Sequence, residues 1–272
     1  MASFAEQSIG LPSLANAREL GGYVIGGRRV RHALLLRGGS TATATPEDLS
    51  ALSTKFHVAK VFDFRTSMER GSVPDKPVEG AVNIWLPAFD EQSGSMQKLS
   101  LPGEAYRNLG PWLRAHMSEQ RVHDVPREMY LEMVRNEFTQ IQYAGFFQNI
   151  LATTEGAVYW HCSQGKDRTG LGAALILSAL GADRDLVMQD FCLSNEYFAD
   201  ELKQYLDGID DPADRAVIQT LIGVNPVYFG AALDLIDSTY GSMKNFLTGP
   251  LCLSEEDLET LRERYLEPIP IL

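Results

Sequence analysis

In the first part of the chain, apolar residues gather into short runs separated by polar turns; in the second they spread into longer, helically spaced stretches. Runs at Tyr23 to Ile25, Ala33 to Leu36, Val58 to Phe64, Ala81 to Leu86 and Ala157 to Trp160 are short and rich in β-branched, aliphatic and aromatic residues, and they predict strands. Between them, Pro46 to Phe56 reads as a helix announced by Thr45 as cap, Pro46 in the first turn and the acidic Glu47 and Asp48. From Arg127 the pattern turns helical. Glu128 to Leu151 carries apolar residues at helical spacing, with Tyr, Phe and Met side chains over 129–147 that read as core. Leu171 to Leu180 is apolar apart from Ser178 and predicts a buried helix, while Ser254 with Asp257 opens a last helix reaching Leu266. Early alternation of strands and helices predicts an α/β fold: a central mixed or parallel sheet flanked by helices.

The 272 residues are enough for a full core and suit one domain over 1–272. One stretch, 87–126, mixes Gly, Ser, Pro and charged residues and is too long for an ordinary connection. It predicts a lid or insertion, with Tyr106, Trp112 and Leu113 available to cover a site.

A formal net charge of −12 excludes the non-specific nucleic-acid binding that an excess of Lys and Arg would support. Arg28, Arg29 and Arg31 cluster after Gly26-Gly27 and read as a solvated hairpin turn. Three widely spaced cysteines argue against a disulfide scaffold and suit a reducing compartment. Cys192 and Cys252 have apolar neighbours and read as packing residues. The start, Met1 to Gln7, lacks the regions of a secretory signal, and no apolar run reaches membrane-spanning length. A soluble cytoplasmic protein is expected, although a chain exported by a non-classical route would carry the same composition. Histidines at 32, 57, 116, 123 and 161 show no metal-ligand spacing, so neither metal nor cofactor is expected.

The segment that carries chemistry is His161-Cys162-Ser163-Gln164-Gly165-Lys166-Asp167-Arg168-Thr169-Gly170, which follows a predicted strand and precedes a predicted helix. A loop in that position can turn the amides of Ser163, Gln164, Gly165 and Lys166 inward, where the helix dipole adds to their field and an anion fits. Arg168, six positions after Cys162, can clasp two phosphate oxygens in a bidentate fork. The same field favours the thiolate of a cysteine at a helix N-terminus, and a held phosphomonoester would present its phosphorus to Cys162 for in-line attack. A phosphocysteine is the expected intermediate. The other readings left open are a thiolate enzyme of different anion chemistry, such as a sulfurtransferase or arsenate reductase, and a phosphate-recognition module without turnover.

His-Cys-x5-Arg-Thr-Gly resembles the signature of cysteine-dependent tyrosine and dual-specificity phosphatases, and the version with Gly165-Lys166-Asp167 resembles their atypical bacterial and fungal branch. Two upstream segments extend the likeness. Asn16-Ala17-Arg18-Glu19-Leu20-Gly21-Gly22 is similar to that branch's Asn-x-Arg-Asp-Leu-Gly-Gly element, and Asp63-Phe64-Arg65 through Glu69 is similar to its Asp-Leu-Arg-x-x-x-Glu element, with Glu19 and Phe64 as departures. The resemblance implies a cysteine-phosphatase-like fold, phosphotyrosine proteins or phosphoinositides as substrates, and His161 as support for the loop and thiolate. It also makes Asp167 the favoured proton donor to the leaving oxygen; Asp124 and Asp63 are the other candidates. Asp63 with Arg65 also reads as a structural ion pair at a strand end. Thr169 can donate its hydroxyl to the Cys162 sulfur, and Lys166 offers a cation for a second phosphate.

Overall fold

The computed structural model describes residues 7–91, 119–207 and 209–269. Its strands are β1 (Arg18–Glu19), β2 (Val24–Ile25), β3 (Arg28–Val30), β4 (Leu35–Gly38), β5 (Val58–Asp63), β6 (Val82–Trp85), β7 (Ala157–His161) and β8 (Leu266–Pro268). The helices are α1 (Pro46–Ser50), α2 (Ser67–Ser72), α3 (Glu119–Arg135), α4 (Glu137–Leu151), α5 (Asp167–Leu180), α6 (Arg184–Tyr197), α7 (Ala199–Leu206), α8 (Pro212–Ile222), α9 (Pro226–Tyr240), α10 (Met243–Thr248) and α11 (Glu255–Tyr265).

The fold is α/β, with a five-stranded mixed sheet in the order β1-β4-β7-β5-β6. β4, β7, β5 and β6 run parallel, and β1 joins the edge antiparallel. β7 is the central strand and is buried along its whole length. Its side chains alternate between two apolar layers, as a strand covered on both faces requires. Val158 and Trp160 join the large core beneath the helices, and Ala157 and Tyr159 join a smaller one formed with Ile9, Leu11, Leu14 and Leu52. At the centre of the large core Phe146 meets Phe62 and Phe64 edge-on, at ring separations of 4.9 and 5.1 Å, and Trp160 at 5.7 Å. α5 is buried over nearly its full length, as the apolar run from Leu171 predicts, and it starts four residues before that run, at Asp167.

Several boundaries depart from the expectations, each for a local reason. The helix expected over Glu128 to Leu151 is two helices. At Asn136 the backbone turns extended and the side-chain oxygen accepts the Phe138 N–H, so this residue caps α4 in the middle of an apolar pattern. α3 begins at Glu119 and carries Pro126 inside it, at the cost of one backbone hydrogen bond. The helix expected from Pro46 to Phe56 is α1 followed by a π-helical turn over Ala51–Lys55. The arginine cluster at 28–31 is more than a solvated turn. Gly26 and Gly27, both at positive φ, close the β2–β3 hairpin, and β3 pairs with β8, where Arg29 donates to Glu267 and Arg28 to the Leu266 carbonyl. Of the expected lid over 87–126, residues 92–118 lie outside the described residues, Tyr106, Trp112 and Leu113 among them.

Truncating Phe146 to Ala removes the ring on which β5 and β7 both pack. Unfolding in urea is expected to show a loss of roughly 3–5 kcal/mol with an unchanged slope.

Candidate active site

The ten-residue segment after β7 is a loop running into α5, at the carboxyl end of the central parallel strand, where open α/β sheets bind ligands. The turn is set at Gly165. Its φ of 72° is left-handed, and a Cβ there would overlap the backbone of Gly38. The Gly165 carbonyl accepts from Asn16 Nδ2 at 2.8 Å and from Arg37 Nη2 at 2.9 Å. A peptide plane whose oxygen is drawn to one side points its N–H to the other, so the Lys166 amide faces away from these donors.

Cys162 is 2% exposed. The carbonyl of Cys162 can only accept, so the His161 Nδ1 3.1 Å from it carries the hydrogen. His161 Nε2 lies 3.4 Å from the Asp75 carboxylate. Thr169 is fully buried, and its hydroxyl has no hydrogen-bond partner among the described residues. Gln164 is partly buried at the loop's crest, beside an exposed Ser163.

Arg168 is gripped by Glu69 in a two-point fork, Nη1 to Oε2 at 2.6 Å and Nη2 to Oε1 at 2.8 Å, with the Phe89 ring 5.1 Å from the guanidinium. Glu69 also accepts from Ser163 Oγ at 2.5 Å and, through a capping box at the start of α2, from the Thr66 N–H at 2.9 Å. Burial alone would raise this carboxyl, but the Arg168 hydrogen bonds and charge reverse the effect and hold it far below the usual carboxylate range. Burial would likewise lower the Arg168 guanidinium, and the paired Glu69 outweighs it.

Asp63 and Arg65 form an ion pair at the end of β5, with Arg65 Nε and Nη2 each 2.9 Å from a carboxylate oxygen. Arg70 Nε lies 3.0 Å from the same group. Arg65 also reaches Asp75 at 2.5 Å and the Val73 carbonyl at 2.7 Å, tying the strand end to the segment behind His161. Burial works against ionised Asp63, but the Arg65 hydrogen bonds and His161 keep it below the ordinary range. Burial pushes Asp75 the other way. The Asp63, Asp75 and His161 ligand atoms lie within 4.8 Å of one another, a spacing open to a metal ion. Arg65 already sits between the two carboxylates as their cation.

Asp167 opens α5 and accepts a hydrogen bond from the Tyr130 hydroxyl. Asp124 is exposed on α3. Lys166 does not extend into solvent. The residue is 6% exposed, and its ammonium donates to the carbonyls of Ile222 and Gly223, at 2.8 and 3.2 Å, at the C-terminal end of α8.

The structure therefore gathers His161, Cys162, Arg168 and Thr169 with Asp63 and Arg65 nearby, and leaves Asp124 on a helix surface. Sequence reasoning missed three partners: Glu69 as the clamp on Arg168, Tyr130 on Asp167, and Arg37 with Asp190 behind the loop. Only Glu69 left a trace, because Thr66-x-x-Glu69 is a readable capping box within the Asp63 to Glu69 element.

Residues 9–267 match the model of the tyrosine phosphatase family. The chain is 32% identical over 260 residues to a protein of Cupriavidus necator provisionally named a tyrosine-protein phosphatase, covering 93% of this chain and 86% of that one. It is also similar to a tyrosine-protein phosphatase of Nostoc commune, 27% identical over 232 residues, with 83% and 71% covered. A third relative, the triple specificity protein phosphatase of Mycobacterium tuberculosis, is 29% identical over 216 residues, with 70% and 76% covered. The chain belongs to the tyrosine phosphatase family. Among the described residues no helix is long and apolar enough to cross a membrane.

A carboxyl whose folded-state pKa is depressed adds stability above its unfolded value and loses it as pH falls toward the folded value. Glu69 is such a group, so urea midpoints are expected to drop as pH falls below about 4.3. Glu69→Gln, with no charge to titrate there, should start lower and show a shallower fall. Equal slopes for the two proteins would contradict the pairing.

Proposed function

We propose that the chain hydrolyses phosphotyrosine in proteins through a phosphocysteine on Cys162. The observation that carries this reading is the buried cysteine at the end of β7, in one loop with an Arg168 whose fork is held ready by Glu69. In the first step Cys162 Sγ attacks phosphorus in line, the bond to the tyrosyl oxygen breaks, and Asp167 gives that oxygen its proton. The loop amides and Arg168 hold the three equatorial oxygens, whose charge changes little while the axial bonds exchange. In the second step a water attacks the phosphocysteine and gives its proton to Asp167. The sulfur leaves as thiolate, receiving a hydrogen bond from Thr169, whose buried hydroxyl has no other partner among the described residues. Inorganic phosphate is the product.

Asp167 is preferred as the acid because Asp63 is engaged by Arg65 and Arg70 and Asp124 is exposed on α3, whereas Asp167 sits on the loop itself with its carboxyl oriented by Tyr130. The phosphoinositide reading leaned on Lys166 as a cation for a second phosphate. With that ammonium bound to the end of α8, a phosphoprotein is the better match. The Mycobacterium relative is named a triple specificity protein phosphatase, so the test panel extends beyond phosphotyrosine.

Phosphotyrosine, phosphoserine and phosphothreonine peptides and phosphoinositide vesicles should be assayed with wild type and variants. Cys162→Ser is expected to abolish turnover on every substrate while still binding phosphate analogue; undiminished turnover would reject the nucleophile. Arg168→Lys keeps the charge but loses the fork, and both affinity and rate should fall. Asp167→Asn should slow release of a tyrosyl-like leaving group by about 10²–10⁴-fold and spare an acidic phenol that needs no proton. An equal loss on both would move the acid elsewhere.

A further inference from the structure

β1 and β4 are paired so that Arg18 stands directly opposite Arg37, and both side chains are fully buried. Like charges opposite one another weaken a strand pair, and burial adds a desolvation cost. A single carboxylate joins them. Asp190 on α6 accepts from Arg37 Nη1 at 2.5 Å and from Arg18 Nε at 3.3 Å, and the Tyr23 hydroxyl donates to it at 3.1 Å. Two guanidiniums thus share one anion, and the cluster keeps one net positive charge out of reach of water. Its position is specific. Arg37 pairs in register with Trp160, two residues before Cys162, and its Nη2 lies 3.5 Å from where a Cβ on Gly170 would be.

We propose that Arg37, clamped by Asp190 and seconded by Arg18 and Asn16, is a positioning residue for the Cys162 loop. It turns the Gly165–Lys166 peptide so that its N–H faces the substrate's oxygens, and it keeps a fixed positive charge behind the thiol.

This inference rests on the reading of Cys162 as nucleophile. Its geometric half follows from the two donors on the Gly165 carbonyl: with Arg37 and Asn16 pulling the oxygen back, the opposite edge of the peptide can only present its hydrogen forward. Asn16 is itself fixed, because its Oδ1 accepts from Arg18 Nη1. The electrostatic half follows from the groups that face Arg37: Arg18 from β1, Asp190 from α6, Tyr23 and Cys162. The Tyr197 ring covers Arg18 from its far side, 5.2 Å from the guanidinium. Burial, then the charge of Arg18, push Arg37 down to about 10, so it remains a cation at neutral pH. Burial works against ionised Asp190, and the two arginines hold it ionised. A positive charge in a dry site favours a nearby thiolate, and it offsets the charge of a phosphorylated intermediate.

Alkylation of Cys162 by iodoacetamide, read by mass spectrometry with and without inorganic phosphate, separates the two halves. Wild type should alkylate at Cys162 before Cys192, and phosphate should protect it; failure of either would remove the nucleophile reading before Arg37 is tested. In Arg37→Met, alkylation near pH 6 is expected to slow about tenfold or more while the rate near pH 9 stays within about twofold, and phosphate protection should weaken. Arg37→Lys restores charge without the fork, so it should recover the rate near pH 6 but not the phosphate protection. Arg18→Met should slow alkylation near pH 6 and, by releasing Asn16, weaken protection in part, and Asn16→Ala should weaken protection while keeping the rate.

A folded Arg37→Met protein that alkylates like wild type at both pH values and is equally protected would overturn the proposal. If Arg37→Met does not fold, Arg18→Met and Asn16→Ala decide. Wild-type alkylation in Arg18→Met together with wild-type protection in Asn16→Ala would overturn it, and the responses given above would support it.

Discussion

A single peptide group governs the site. At Gly165 the chain must reverse tightly enough to bring β7 back into the start of α5, against a Gly38 backbone that leaves no room for a side chain. A backbone so placed has few ways to satisfy its polar atoms, and the carbonyl is drawn inward to buried donors from the N-terminal segment and β4. The direction of the Lys166 amide follows from that fixed reversal. Residues up to about 150 positions distant in sequence are recruited to hold it.

Around this turn an acidic protein concentrates its arginines. Arg168 pairs with Glu69, Arg65 lies between Asp63 and Asp75, and Arg18 with Arg37 lies against Asp190. None of the three groups is an ordinary surface ion pair. Each is largely withdrawn from water, where a missing partner is far more costly than at the surface. The counts differ in a way that suits their places. Arg168 meets one carboxylate, Arg65 and Arg70 together meet two, and the rear pair has only one. Among these three groups, positive charge is in surplus only in the rear pair, behind the Cys162 loop.

Much of this was legible from residue order, and what was not has a common cause. The strands around β7 and the caps at Thr45 and Ser254 are local signals, written within a few residues, and the structure has them within a residue or two of the expected places; α5 ends where expected but starts four residues earlier, inside the polar loop. The loop itself was readable because its chemistry is contiguous. The partners were not, because Arg168 finds Glu69 at a separation of 99 residues and Arg37 finds Asp190 at 153. Lys166 was misleading for the same reason. A lysine in a phosphate-binding loop suggests a free cation, and only the packing of α8 reveals carbonyls waiting for it. The break at Asn136 shows the opposite limit, where one local cap overrides an apolar rhythm that continues through it.

The Gly165 turn also has a bearing on how the chain is made. Its donors come from Asn16 and Arg37, early in synthesis, but the anion that permits two buried guanidiniums to sit side by side is Asp190, on a helix that ends at Tyr197. Until α6 has emerged from the ribosome, the two arginines have no counter-ion and the nascent sheet must leave that corner open. A ribosome-bound or truncated chain lacking α6 would therefore carry Cys162 without the anion that holds Arg37 against the Gly165 carbonyl, and the loop would take its final form late in synthesis.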